Sequence, residues 1–163
     1  GGFSFDHPQF ALFPTLFHEQ RQHLRTSSVG EERLGQVTEY QPGEKVTIRY
    51  WASLSSVWNL GDWQTIERLE PFHIWKSETI RERFEWSKSS ADSPGIKMAL
   101  VRIYRLEKPW QIEYQRNHGG CRSWLKLPEI PPACRETRKP VLNEDEFSKT
   151  RESLEEIAGL PPH

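Results

Sequence analysis

The sequence has few cysteines and no long apolar run. These two features argue against a disulfide-stabilised protein and against a membrane-spanning one. Cys121 and Cys134 form no CxxC pair, so we expect neither a disulfide framework nor a paired-cysteine metal site. No apolar stretch approaches the ~18 residues that span a bilayer, and the chain shows no signal peptide. We therefore expect no membrane contact and a reduced, cytoplasmic setting.

Strong net charge is also absent, at −1 over 163 residues. The balance is uneven, because residues 141–163 contain six acids and two bases, which leaves +3 for residues 1–140. That bias is well below what dedicated DNA-binding domains carry. The chain begins Gly1-Gly2 without a methionine, and we expect an N-terminal portion to be missing.

The hydrophobic pattern predicts one α+β domain in which short helices cover a mixed, mainly antiparallel sheet. Aromatic residues make up 12% of the chain and supply much of the core. Residues 46–54 alternate between apolar and polar, as a half-buried strand does. Strands are predicted near residues 10–13, 46–55, 97–106 and 121–127, with a short one at 110–114 after Pro109, and helices at 15–25, 62–70, 77–86 and 143–158.

Residues 1–130 are predicted to form one domain, and the residues after them are predicted to lie outside it. Four prolines between Pro128 and Pro140 predict an extended, Pro-rich linker over residues 131–142. Residues 143–163 are predicted to be an acidic helix and tail that begins with a capping box, Asn143 to Glu146, and docks loosely.

His18 and Glu19 are the first candidates for chemistry, at the start of the helix predicted after Pro14. They resemble the first half of the zinc-protease motif HExxH, but the next histidine is His23, five residues on, which lies about 140° around a helix from His18 rather than on the same face. No metal-ligand set is therefore assigned. A hydrolase, metal-assisted or not, with His18 and Glu19 as base or ligand and with Cys121 or His118 nearby, is one hypothesis. A helix-start histidine with a purely structural role is the other.

The second candidate is the Gly-rich turn from His118 to Arg122. Cys121 beside Arg122 is a possible nucleophile with a lowered pKa, and His118 is a possible base for it. The alternative is a tight turn that leads into a strand, with Cys121 as a small buried hydrophobic residue.

Tryptophan and arginine residues interleave along the chain, which is typical of surfaces that stack bases and contact phosphates. The favoured function is a binding module for nucleic acid or a nucleotide-like anion. The alternatives are a hydrolase and a structural or interaction protein whose tryptophans are packing residues. The ligand-binding set predicted on this basis is Thr15, His18, Arg49, Arg102, Arg122 and Trp124.

Four blocks of the sequence resemble a known family of bacterial and archaeal proteins, domain of unknown function 1802. The blocks are Phe10-Ala-Leu-Phe-Pro-Thr15 with His18, Phe72-His-Ile-Trp75 with Arg83-Phe84, Leu100-Val-Arg-Ile-Tyr-Arg-Leu106, and Gly120-Cys-Arg-Ser-Trp124. The resemblance covers about residues 3–127. It implies an intact folded domain, preceded in relatives by a strand and an Arg-Lys-Gly-Gly stretch, and it implies no activity or cofactor. Glu19 departs from the pattern, in which glutamine follows the histidine.

Overall fold

The computed structural model describes residues 5–14, 23–25, 40–90, 95–119 and 124–161. Within these ranges, four strands form one sheet in the order β1-β2-β3-β4. The strands are β1 (Gln9–Ala11), β2 (Lys45–Leu60), β3 (Ile96–Glu113) and β4 (Arg138–Pro140), and each described pairing is antiparallel. The predicted α+β domain with a mainly antiparallel sheet is confirmed.

The antiparallel pair of β2 and β3 is longer than the sequence predicted. The predicted strand at 110–114 is the continuation of β3, which does not stop at Pro109. Between the pairs Ile48↔Trp110 and Tyr50↔Arg105 the register shifts, so that residues 106–109 lie opposite Arg49 alone. A proline lacks the N–H that a ladder requires, and such an irregularity is where a long strand tolerates one.

The buried residues of β3 are all even-numbered, namely Leu100, Leu106, Trp110 and Ile112. Among the described residues, the core consists of two clusters of buried residues, one at each end of the β2–β3 pair. The first contains Trp58, Leu60, Ile66, Leu69, Phe84, Leu100, Phe147 and Leu154. The second contains Val46, Ile48, Leu106, Trp110, Ile112, Ile130 and Cys134.

Helices cover the first cluster. They are α1 (Trp63–Arg68), α2 (Ser77–Ser90) and α4 (Glu144–Ala158), which lie close to the predicted positions; a further helix, α3 (Pro132–Glu136), packs at the second cluster. Short 3-10 turns occupy Glu70–Phe72 and Arg116–His118. The helix predicted at 15–25 lies outside the described residues except for 23–25, of which His23 is in a 3-10 turn and Leu24 forms a bridge with Trp75.

The segment predicted as an extended linker is folded over part of its length. Pro132–Glu136 is helical, and Arg138–Pro140 pairs with residues 104–106 of β3 at the sheet edge. Prolines suit both places, because a first helical turn and an edge strand have N–H groups that need no partner. Cys134 of this segment is only 8% exposed. The division of the chain into three units stays a prediction.

Two further expectations need correction. The terminal helix is firmly docked, because Phe147 and Leu154 are 6% and 4% exposed inside the first cluster. The strand predicted at 121–127 is not present over its described part, since residues 124–127 belong to no strand. The apolar side chains that suggested a strand there instead line a cavity beside β1.

Candidate functional site

Four of the predicted site residues can be placed, and they lie in different environments. Arg49, Arg102, His118 and Trp124 fall within the described part of the chain. The others lie outside the described residues; they are Thr15, His18, Glu19, Cys121 and Arg122. The hypothesis that His18, Glu19 and Cys121 share one site therefore stays a prediction.

Arg102 belongs to the core side of the sheet. Its guanidinium lies 4.7 Å from the centre of the Phe147 ring, and its Nη1 donates to Glu144 Oε2 at 2.7 Å. The side chain is 15% exposed. A planar guanidinium that stacks on a ring and pairs with a carboxylate in this way holds α4 onto the sheet, so the predicted grouping of Arg102 with Arg49 is not what the geometry shows.

Arg49 lies instead beside two other cations, and we call Arg49, Arg105 and Lys139 the basic patch. The three side chains line one cavity of about 350 Å³. Arg105 is the register partner of both Tyr50 in β2 and Lys139 in β4. Neighbouring antiparallel strands are about 4.8 Å apart, so Arg105 and Lys139 lie next to each other. The cavity is completed by Leu106, Glu107 and Pro109.

The electrostatics of the basic patch favour an anion. Lys139 pairs with the carboxylate of Glu107, which leaves two positive charges among the described residues that line the cavity. The side chains of Arg49 and Arg105 are exposed and make no hydrogen bond or ion pair to another described residue. Tyr50, in the same register row, is 41% exposed and presents an aromatic ring at the edge of the patch.

Sequence reasoning missed two members of the basic patch. Lys139 was placed in a linker, and its position in the sheet depends on a pairing between residues 34 apart in the chain. Arg105 could have been found, because it alternates with the core-facing Tyr104 and Leu106 along a predicted strand.

Trp124 is held in a group of rings. The rings of Phe5, His7 and Phe10 are nearly perpendicular to its indole, with ring centres 6.5, 5.2 and 5.1 Å away. Such edge-to-face contacts stabilise the group beyond the area that is buried. Together these side chains border a second cavity, of about 850 Å³, which also reaches Phe13, Trp51 and Trp110. We call it the aromatic cavity.

The tryptophans as a whole do not form one stacking surface. Trp58 and Trp110 are 2% and 6% exposed within the two core clusters, whereas Trp86 is 70% exposed on α2. The packing interpretation is therefore the better one for the buried indoles, as expected for rings that bury large areas.

His118 is a packed residue. It is 4% exposed, and its Nδ1 accepts from the Gln115 N–H at 3.1 Å, which closes a capping box around a short 3-10 turn. The rings of Phe13 and Tyr114 contact it, with centres 5.4 and 5.7 Å away. This arrangement fits the tight-turn interpretation, with the histidine as a structural member of the turn.

The described residues also bear on two other classes of site. They contain no group of three or more histidine, cysteine, aspartate or glutamate side chains that could hold a metal ion. No helix in the same ranges has the length and apolar character needed to cross a bilayer.

Comparison with known proteins gives one match. A family model described as Domain of unknown function (DUF1802) matches residues 1–153. The chain belongs to this family. The DUF1802 match runs past the quoted sequence blocks and takes in β4 and most of α4. No curated protein and no solved structure matches the chain.

Proposed function

We propose that this DUF1802 protein binds single-stranded nucleic acid at the basic patch. The observation that carries the proposal is the convergence of Arg49, Arg105 and Lys139, from three neighbouring strands, on one cavity. Guanidinium groups bind phosphate oxygens through paired hydrogen bonds, and an exposed groove with excess positive charge attracts a polyanion.

Tyr50 supports a ligand that contains bases as well as phosphates. Its ring is 41% exposed beside Arg105 on the same face of the sheet. Stacking of a base on an aromatic ring next to cations is how sheet surfaces bind single strands without strict sequence preference. The proposal includes a cytoplasmic location, which the free and buried thiol of Cys134 supports.

The experiment is a fluorescence-anisotropy titration with labelled single-stranded RNA and DNA of about 12 nucleotides. Arg49→Ala/Arg105→Ala removes two exposed cations of the patch. Each such phosphate contact contributes about 0.5–1 kcal/mol, so the double variant should bind about 5–30-fold more weakly. Tyr50→Leu should weaken binding by about 1 kcal/mol or more if the ring stacks on a base.

A matched control keeps the net charge change the same. Arg68→Ala/Arg83→Ala removes two exposed arginines from α1 and α2, and it should bind as the unmodified protein does. Equal weakening by both double variants would mean that only net charge matters. Tight binding of a mononucleotide, with no gain for the longer strands, would replace nucleic acid by a nucleotide as the ligand.

A further inference from the structure

The aromatic cavity has the size and lining of a small-molecule site. It measures about 850 Å³, within the range of about 300–1,000 Å³ typical of ligand pockets. Phe13, Trp51, Trp110 and Trp124 bring their rings to it from the N-terminal segment, from two strands and from the segment after residue 123. Walls of this kind favour a flat ring, because aromatic pairs gain from stacked and edge-to-face contact as well as from burial.

One polar group in the cavity wall lacks a partner. The Nε1 atom of Trp51 is buried and makes no hydrogen bond in the described part of the chain. A buried indole N–H usually has an acceptor, since an unmade hydrogen bond of this kind costs about 1–3 kcal/mol. For comparison, the buried Trp58 donates its N–H to the Gly159 carbonyl at 2.8 Å. Trp51 therefore carries an unsatisfied donor in a residue that lines the cavity.

The formal charge around the aromatic cavity is positive. Lys126 lines it, and no arginine, aspartate or glutamate is found among the described residues that do so. Lys126 is exposed and makes no hydrogen bond or ion pair to another described residue. A negatively charged group at the cavity mouth would meet the lysine without repulsion from a lining carboxylate.

We propose that the aromatic cavity binds a planar aromatic carboxylate. The ring lies among the tryptophan and phenylalanine walls, and the negative charge lies toward Lys126. Because Trp51 Nε1 is buried, the indole turns toward the cavity on binding, and an oxygen of the ligand then accepts from its N–H. The site shares no described residue with the basic patch, so a failure of nucleic-acid binding would leave this proposal unaffected.

The test is calorimetric titration of the full chain with three probes that separate the two requirements. 2-Naphthoate has a flat ring and a charge, 2-naphthylmethanol has the ring alone, and decanoate has the charge on a flexible chain. The expected order of affinity is naphthoate first, then the alcohol, then decanoate. No measurable heat with naphthoate up to about 1 mM, which is a free energy of only about −4 kcal/mol, overturns the proposal, as does equal binding of decanoate.

Two variants test the polar contacts. Trp51→Phe keeps a ring but removes the N–H, and it should weaken naphthoate binding about 5–10-fold. Lys126→Gln changes an exposed residue and so leaves the fold intact; it should weaken naphthoate about 3–5-fold and leave the alcohol unchanged. The matched controls are Trp86→Phe, at an indole that is 70% exposed, and Lys149→Gln on α4.

The readout that a merely structural role would not change is the indole N–H resonance of Trp51. It is assigned by its loss in Trp51→Phe, and naphthoate should shift it as the hydrogen bond forms. An unmoved resonance, or unchanged affinity in both variants, contradicts the proposal. Displacement of naphthoate by a proline-rich peptide that binds more tightly would overturn the assignment to a small molecule. Arg49→Ala/Arg105→Ala should bind naphthoate as the unmodified protein does.

Discussion

Arg102 and Arg105 show how the direction of a side chain decides its role. The two residues are three apart in β3, so they point to opposite faces of the sheet. Arg102 pairs with Glu144 and stacks on Phe147, whereas Arg105 is exposed beside Arg49 and Lys139. Composition gives both the same weight as ligands for a phosphate, and only the strand register separates them.

Replacing Arg102 should affect stability and leave nucleic-acid binding intact. Arg102→Met keeps the apolar stem but loses the pair with Glu144, and we expect a loss of about 1–2 kcal/mol in the free energy of unfolding, measured by urea denaturation. Glu144→Gln should lose about 0.5 kcal/mol, because that carboxylate is largely exposed. If Arg102→Met weakened RNA binding at unchanged stability, Arg102 would be a ligand contact after all.

His73 should make the fold less stable in mild acid. Burial, together with the nearby positive charge of Arg25, holds the pKa of His73 below its ordinary value, although Glu70 acts in the opposite direction. The unfolded chain then binds a proton below about pH 6.5 that the folded chain does not, so the free energy of unfolding falls as the pH drops. NMR titration of the imidazole gives the pKa directly.

The matching variant for the pH experiment is His73→Asn. It should lose less stability between about pH 7 and pH 5 than the unmodified protein does. A measured pKa at or above the ordinary histidine value, or an identical loss in His73→Asn, would show that another group causes the acid sensitivity.

At the scale of elements, local sequence signals predicted α1, α2, α4 and the central parts of β2 and β3 well. Asp62 caps α1 and Asn143 caps α4 with the reciprocal Glu146 contact, as the residues at those positions indicate. β4 could not be predicted, because three residues that follow several prolines carry no periodic pattern and are specified by their partner strand. The length of β3 was underestimated for a related reason, since Pro109 is tolerated only through the opposing register shift.

The turn glycines give a test of backbone packing. Gly43 and Gly95 have φ angles of +94° and +144°. A Cβ on Gly43 would meet no atom within 4 Å, whereas one on Gly95 would lie 2.8 Å from the Leu60 carbonyl oxygen. Gly43→Ala should therefore cost about 1 kcal/mol from backbone strain alone, and Gly95→Ala about 3 kcal/mol or more. Equal costs in thermal or urea unfolding would contradict the close approach of Gly95 to β2.

The docking of α4 is tested by Leu154→Ala. Leu154 is 4% exposed in the same cluster as Trp58 and Leu100, so its truncation should cost about 2–5 kcal/mol in the free energy of unfolding. Glu152→Ala, on the exposed side of the same helix, should change stability by less than about 0.5 kcal/mol. A Leu154→Ala cost near that of the control would restore the loosely docked tail that the sequence suggested.

Across the whole molecule, the two ends of the antiparallel pair β2–β3 have different surroundings. The end near Trp58 and Leu100 is covered by α1, α2 and α4 and forms a helical core. The end near Trp110 borders both the basic patch and the aromatic cavity, since Pro109 lines the first and Trp110 the second. The ligand-binding set predicted from the sequence includes Arg49 and Trp124, which lie at this end. The neighbours of each come from segments that are distant in the chain, and local sequence patterns do not show that these segments meet.

The central claim is that phosphates bind at the basic patch, and the salt dependence of RNA affinity tests it most directly. For single strands the logarithm of the association constant falls against the logarithm of salt concentration with a slope of about −0.7 per phosphate contact. We expect a slope of about −1.4 to −2.1 for the unmodified protein and for Arg68→Ala/Arg83→Ala, and about −0.7 or less in magnitude for Arg49→Ala/Arg105→Ala. Identical slopes and affinities in the two double variants, or no binding at about 50 mM salt, would contradict the account.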